Sequence, residues 1–302
     1  MNEKKTFLLL FALLTSAAQA ADSYNVVWDS PSTNAHGSMP LGNGDIGLNA
    51  WAQADGTIHL LISKTDAWDD NARLVKVGEV VVRFDSNPFT GKFRQELDLQ
   101  TGSILFQDNI RLWVDANHPV IHLTTDLPAT AAVELWRTNR QAIAKLQNSD
   151  IMTSAPQNLR QPQFIEPDTR VNATTWFHHN TNSVGPAITA RIQGLSGFQQ
   201  PDPILHRIFG GSIVKTPHGF DIYVLTQQPS TPEKWLAAMK ALIQQTGAAD
   251  LAAHKQWWAD FWNRSWIRAS SKTAGNEAAY VSQMYALQRF VTACAGRGAY
   301  PI

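Results

Sequence analysis

The chain has 302 residues, room for one large domain or two of ordinary size. Its 25 basic and 25 acidic side chains cancel, and no Lys/Arg run stands out, which argues against a nucleic-acid binder held by bulk positive charge. With 44% hydrophobic and 17% charged residues it is globular, and its one cysteine, Cys294, excludes an internal disulfide and a Cys-based zinc site. Tryptophan is the odd component, 11 against 5 Tyr. So many indoles point either to a Trp-rich core or to sugar-facing surfaces, and composition alone does not choose.

Residues 1–20 carry Lys4 and Lys5, an apolar run from Phe7 to Leu14, and Ala18-Gln19-Ala20 before a cut. That is a secretory signal-peptide pattern, too short in its apolar run for a bilayer, which takes about 20 residues. No Cys lies near the cut and no other apolar stretch is long enough to cross, so no membrane anchor is expected. The expectation is an exported, periplasmic or secreted protein.

From about 24 to 228 the pattern is strand-like. Ile46, Leu48 and Ala50 alternate, Ala54-Asp55-Gly56-Thr57 makes a turn, and Ile58, Leu60 and Ile62 alternate again, which is a hairpin signal. Val80, Val82 and Phe84 follow with period two. Short runs continue at Phe93–Leu99, Ser103–Gln107, Ile110–Val114, Val120–Thr125 and Ala131–Arg137, separated by turn residues. Residues 138–172 read as a long polar insertion. Strand character resumes at Thr174–Phe177, Ala187–Ile192, Ile213–Lys215 and Asp221–Leu225. Many short strands at this spacing indicate a sandwich over 21–230.

Beyond Ser230 the chain turns helical. Thr231-Pro232-Glu233 opens a helix with a cap, a first-position proline and an early acid. A second helix covers Asp250–Trp266, with Leu251, Trp258 and Trp262 on one stripe. A third covers Glu277–Ala295, with Val281, Met284, Val291 and Cys294 on one face. These apolar stripes need something to pack on. Part of that surface belongs on the sandwich, and the remainder suits helices outside this sequence.

Chemistry is sparse. Gly42-Asn43-Gly44-Asp45-Ile46-Gly47 matches a dinucleotide fingerprint, but a period-two strand follows where a helix is needed, so the glycines shape a tight loop and no cofactor is expected. His178 and His179 are neighbours on a predicted strand and point to opposite faces. No zinc spacing and no Gly-x-Ser-x-Gly elbow occurs. The densest polar cluster is Lys64–Asn71, with Asp66, Asp69 and Asp70 around Trp68. Glycosidases use paired carboxylates and indole platforms. By spacing alone, a loop whose aspartates cap backbone amides is favoured.

Several strings occur in order: Trp28-Asp29-Ser30-Pro31-Ser32, His36 to Gly47, Ser63 to Asp69, Asn87-Pro88-Phe89, Leu97-Asp98-Leu99, Trp113 to Asn117 and His206 to Gly211. As a set they resemble the domain of unknown function 5703, over about residues 24–302. Such proteins are similar to the N-terminal part of glycoside hydrolase family 95, the α-L-fucosidase and α-L-galactosidase family. The resemblance implies a mainly β fold: an N-terminal β-supersandwich, a helical linker over 231–302, and an (α/α)6 barrel carrying an inverting Glu/Asp pair. The acid and base motifs have no counterpart here, so no catalytic residue is carried over. The expectation is a non-catalytic, truncated part, inactive alone, that in full-length relatives packs against the barrel. Asn43, Asp66, Trp68 and Asp69 are expected to face carbohydrate from the sandwich side. The competing expectation is a stand-alone carbohydrate-binding or interaction module.

Overall fold

The computed structural model describes residues 24–70, 74–134, 169–181, 190–195, 197, 201–272 and 277–297. The expected export signal at 1–20, and 138–168 of the polar insertion, lie outside the described residues.

Among the described residues fourteen strands follow one another: β1 Val26–Trp28, β2 Met39–Gly42, β3 Ile46–Ala52, β4 Thr57–Trp68, β5 Leu74–Phe84, β6 Gln95–Asp98, β7 Ser103–Phe106, β8 Ile110–Val114, β9 Val120–Thr124, β10 Ala129–Glu134, β11 Thr169–Arg170, β12 Thr175–His179, β13 Ile208–Thr216 and β14 Gly219–Gln227. They form two antiparallel sheets. One has nine strands in the order β1-β6-β7-β8-β9-β14-β13-β12-β11, and the other has five in the order β10-β5-β4-β3-β2. The fold is mainly β, as the alternation predicts.

Local chemistry explains the β3/β4 hairpin. Gly56 takes φ +94, and Asp55 Oδ1 accepts from the Thr57 N–H at 3.0 Å and its hydroxyl at 2.7 Å. The register pairs Leu48 with Ile62, Ala50 with Leu60 and Ala52 with Ile58. All six are at most 2% exposed, so one face of this sheet lies in the core. Two polar links join the sheets through that core. Gln95 Oε1 accepts from the Ala52 N–H at 3.3 Å, and Trp176 Nε1 donates to Val77 O at 2.8 Å. Gly78 and Gly211 make room for the Trp176 ring, since a Cβ at either would come within 2.7 Å of it.

Three helices cover the sandwich: α1 Pro232–Thr246, α2 Leu251–Asn263 and α3 Glu277–Ala295. Thr231 caps α1 and Asp250 caps α2 by accepting backbone N–H bonds. α1 lies on the side of the nine-stranded sheet away from the main core, where Trp235 and Met239 pack with Phe177, Ile208 and Tyr223. α2 covers the turn between β6 and β7: Trp262 Nε1 donates to Leu99 O at 2.8 Å, and Trp258 is 1% exposed against Gly102.

Two details differ from the sequence reading. Of the expected strand Ala187–Ile192, residues 187–189 lie outside the described residues and 190–192 are helical rather than extended, the helix ending at Gly194, φ +70, with Leu195 N–H bonded to Ala190 O at 2.7 Å. In α3 the buried face is Ser282, Ala286, Phe290, Ala293 and Cys294, whereas Val281, Met284 and Val291 are 55%, 38% and 44% exposed. Small residues let the helix approach closely, and Phe290 stacks on Trp258 at 5.0 Å. The packing chose ring contact and close approach over summed hydropathy.

Gly102 takes φ +57, and a Cβ there would stand 2.1 Å from the Trp258 ring. Gly102→Ala should therefore destabilise the fold by about 3 kcal/mol or more, combining overpacking with left-handed strain. A denaturant titration checks it, and an unchanged midpoint would contradict the docking of α2 on this turn.

Candidate functional site

The loop Gly42-Asn43-Gly44 joins β2 to β3 and is held from three directions. Asn43 Oδ1 accepts from the Asp45 and Ile46 N–H groups at 3.1 and 2.8 Å. Its Nδ2 donates to Asp115 O at 2.9 Å and His118 O at 3.1 Å. The Gly44 N–H, at φ +83, donates to Cys294 O at 2.7 Å, so the last turn of α3 lands on the loop. A Cβ on Gly42 would meet that carbonyl at 2.6 Å. Burial pushes the Cys294 thiol up to about 12, which leaves it protonated and unreactive.

Beside this contact a cleft of about 580 Å³ opens between the five-stranded sheet and α3. Trp68, Leu74 and Val291 form apolar walls, and Asp45, Lys64 and Thr65 form a polar end. Lys64 is 8% exposed, with its ammonium 3.0 Å from the Asp45 carboxylate and 2.9 Å from Asp66. The Thr65 hydroxyl donates to Asp45 Oδ1 at 2.7 Å. Two carboxylates around one ammonium leave this end one negative charge in excess. Trp68 donates its indole N–H to Thr65 O at 3.2 Å, which fixes the ring while leaving it 37% exposed.

Of the four residues singled out from sequence, Trp68 lines the cleft and Asp66 braces its lysine. Asn43 has its side chain taken up by four bonds inside the fold. Asp69 is fully buried, partnered within the fold, and does not line the cleft. Asp45 and Leu74 are not singled out from sequence, and Val291 reads there as part of a packing stripe rather than a cleft wall. Asp45 reaches Lys64 because the hairpin pairs Ile46 with Lys64, a register that a strand pattern alone does not assign.

Behind the loop, Asp115 organises a buried polar group. It accepts from the Asn117 and His118 N–H groups at 2.7 and 3.2 Å and lies 3.5 Å from His122 Nε2. Burial raises its pKa, but the neighbouring His122 ring and bonds from Asn117 and His118 outweigh this and bring it down to about 2. His122 Nδ1 lies 2.6 Å from Asp221. Burial lowers the His122 pKa, yet the two flanking carboxylates raise it overall. His254 of α2 behaves oppositely. Its Nδ1 accepts from the Ala116 N–H at 3.2 Å and its Nε2 donates to Thr101 O at 2.8 Å, so the ring is held neutral. Burial lowers its pKa to about 4.

Unfolded His254 takes up a proton near 6.5 while the folded ring resists until about 4, so its contribution is complete above 6.5 and declines as pH falls. The loss amounts to about 3 kcal/mol, and His254→Gln should flatten that acid limb in denaturant titrations run at several pH values. His122 works in reverse: its contribution is complete below the ordinary histidine value and is lost as pH rises through its higher folded value. Asn43→Ala should cost about 2 kcal/mol through four lost bonds to mostly part-buried partners, seen as a lower Tm.

The family model described as "Domain of unknown function (DUF5703)" matches residues 27–218 and 214–267. No curated protein matches the sequence. The two matched segments span the whole sandwich together with α1 and α2, and so take in the Gly42–Asp45 loop and the Lys64–Trp68 strand end that meet at the cleft. The chain belongs to the DUF5703 family.

Proposed function

We propose that this chain is the non-catalytic sandwich part of an exported, glycoside-hydrolase-like protein, and that its cleft holds a sugar unit of an α-linked L-fucoside or L-galactoside type glycan. The observation that carries the reading is convergence. The Pro-Leu-Gly-Asn-Gly segment and the acidic-Trp segment after it are the element by which such chains resemble glycoside hydrolase family 95, and Asp45 beside the first and Lys64, Thr65 and Trp68 of the second line one cleft. An exposed indole beside fixed donors and acceptors suits a sugar ring, whose C–H face stacks while its hydroxyls bond. Acid–base catalysis would belong to a barrel domain of the longer protein, and segment 1–20 would direct export to the periplasm or beyond.

Calorimetric titration of the chain with aryl α-L-fucosides and α-L-galactosides tests this. Saturable binding without turnover is expected, and Trp68→Ala should weaken it about tenfold, a loss of about 1.4 kcal/mol. Turnover at an enzyme-like rate would overturn the non-catalytic assignment. Binding untouched by Trp68→Ala would remove the cleft from consideration.

A second reading, a stand-alone interaction module, is favoured by one surface. Tyr280, Val281 and Met284 leave 61%, 55% and 38% of their area exposed along α3. Concentration-dependent self-association in sedimentation, abolished by Val281→Glu, would favour that reading.

A further inference from the structure

The polar end of the cleft presents one accessible charge. Among the described residues, Asp45 and Lys64 are the charged groups that line the cleft. The Lys64 side chain is 9% exposed, and Asp66, which does not line the cleft, answers its ammonium at 2.9 Å. The Asp45 carboxylate lies 3.0 Å from the same ammonium, yet its side chain stays 35% exposed. Two carboxylates thus share one buried cation, and the excess charge falls on the one that a ligand can reach. The guanidinium of Arg207 bonds the Asp66 carbonyl at 2.9 Å and does not line the cleft.

Asp45 also has acceptor capacity to spare. Its side-chain partners besides the backbone are Lys64 and the Thr65 hydroxyl, at 3.0 and 2.7 Å, whereas an ionised carboxylate offers about four lone-pair positions. Thr65 spaces this carboxylate from the indole. Its hydroxyl bonds Asp45, and its carbonyl accepts the Trp68 N–H at 3.2 Å. The ring therefore stands beside the charge, 37% exposed, with Leu74 and Val291 on the apolar walls.

A neutral sugar would stack on the indole and leave the Asp45 charge unanswered. An acidic sugar would be repelled by it. We infer that the sugar unit taken by the cleft is an amino sugar, its ammonium on Asp45 and its C–H face on Trp68. The inference rests on the reading of the cleft as a sugar site and adds the charge of the unit held there. Lys64 opposes a second ammonium only weakly, because Asp66 balances it.

The test follows the indole N–H of Trp68 in the chain labelled with nitrogen-15, at pH 6. The titrants are the methyl α-glycosides of L-fucose, of 2-amino-L-fucose and of its N-acetyl form. The amine should bind at least about fivefold tighter than the fucoside, a preference that shrinks with added sodium chloride and vanishes on N-acetylation. Asp45→Asn keeps an acceptor for the Thr65 hydroxyl and should bring the amine and the fucoside to equal affinity; where that variant lowers the Tm, the N-acetyl comparison decides alone. Fucoside binding with no advantage for the amine, an advantage that survives N-acetylation, or one that survives Asp45→Asn at unchanged Tm would each overturn the inference and leave the sugar reading standing. Binding by none of the three glycosides would overturn both.

Discussion

One contact sets the geometry of everything that bears on function: the Gly44 N–H donating to Cys294 O at 2.7 Å. It takes a carbonyl left without an intrahelical partner at the end of α3 and gives it a partner on the sandwich. The approach is possible because Gly42 has no side chain, and Arg297 reinforces it by reaching back to Gly42 O. With α3 pinned at this end, its two flanks become walls. One flank closes the cleft over Asp45 and Lys64, and the other faces α2, where Arg289 donates to the Ser265 and Phe261 carbonyls. The cleft does not belong to the sandwich alone.

The tail is bound to the sandwich by rings as well as by hydrogen bonds. Trp258 and Trp262 enter the core, stack on Phe290 and Trp266 respectively, and cover the Leu99–Gly102 turn. His254 adds a neutral imidazole bonded to two different loops of the nine-stranded sheet. The question raised by composition is thereby answered residue by residue. Trp51, Trp113, Trp176, Trp235, Trp258 and Trp262 are core residues, while Trp68 is the described indole left most open.

Much of the fold was legible because its signals are local. Alternation at Ile46–Ala50 and Ile58–Ile62, the Asp-Gly turn, and the Thr-Pro-Glu opening of α1 each act within a few residues. The buried face of α3 was not legible, since Ala286 and Ala293 are chosen for closeness and carry little hydropathy. The acidic-Trp cluster could be found by density alone, which located Asp66 and Trp68. Its division into a cleft-side pair and a buried Asp69 depends on how β4 ends, which no spacing rule contains. The His122–Asp221 pair, 99 residues apart, exists only through the pairing of β9 with β14.

The burial of Cys294 has a practical consequence. The chain holds a single thiol, and that thiol sits in the turn of α3 whose carbonyl receives the Gly44 N–H. While the helix is seated, the sulfur is buried at the edge of the cleft and stays protonated. Alkylation is slow in that state and quickens in moments when the helix lifts from the loop. The rate at which a maleimide consumes Cys294 is therefore a built-in clock for that lifting, readable by mass without any introduced label.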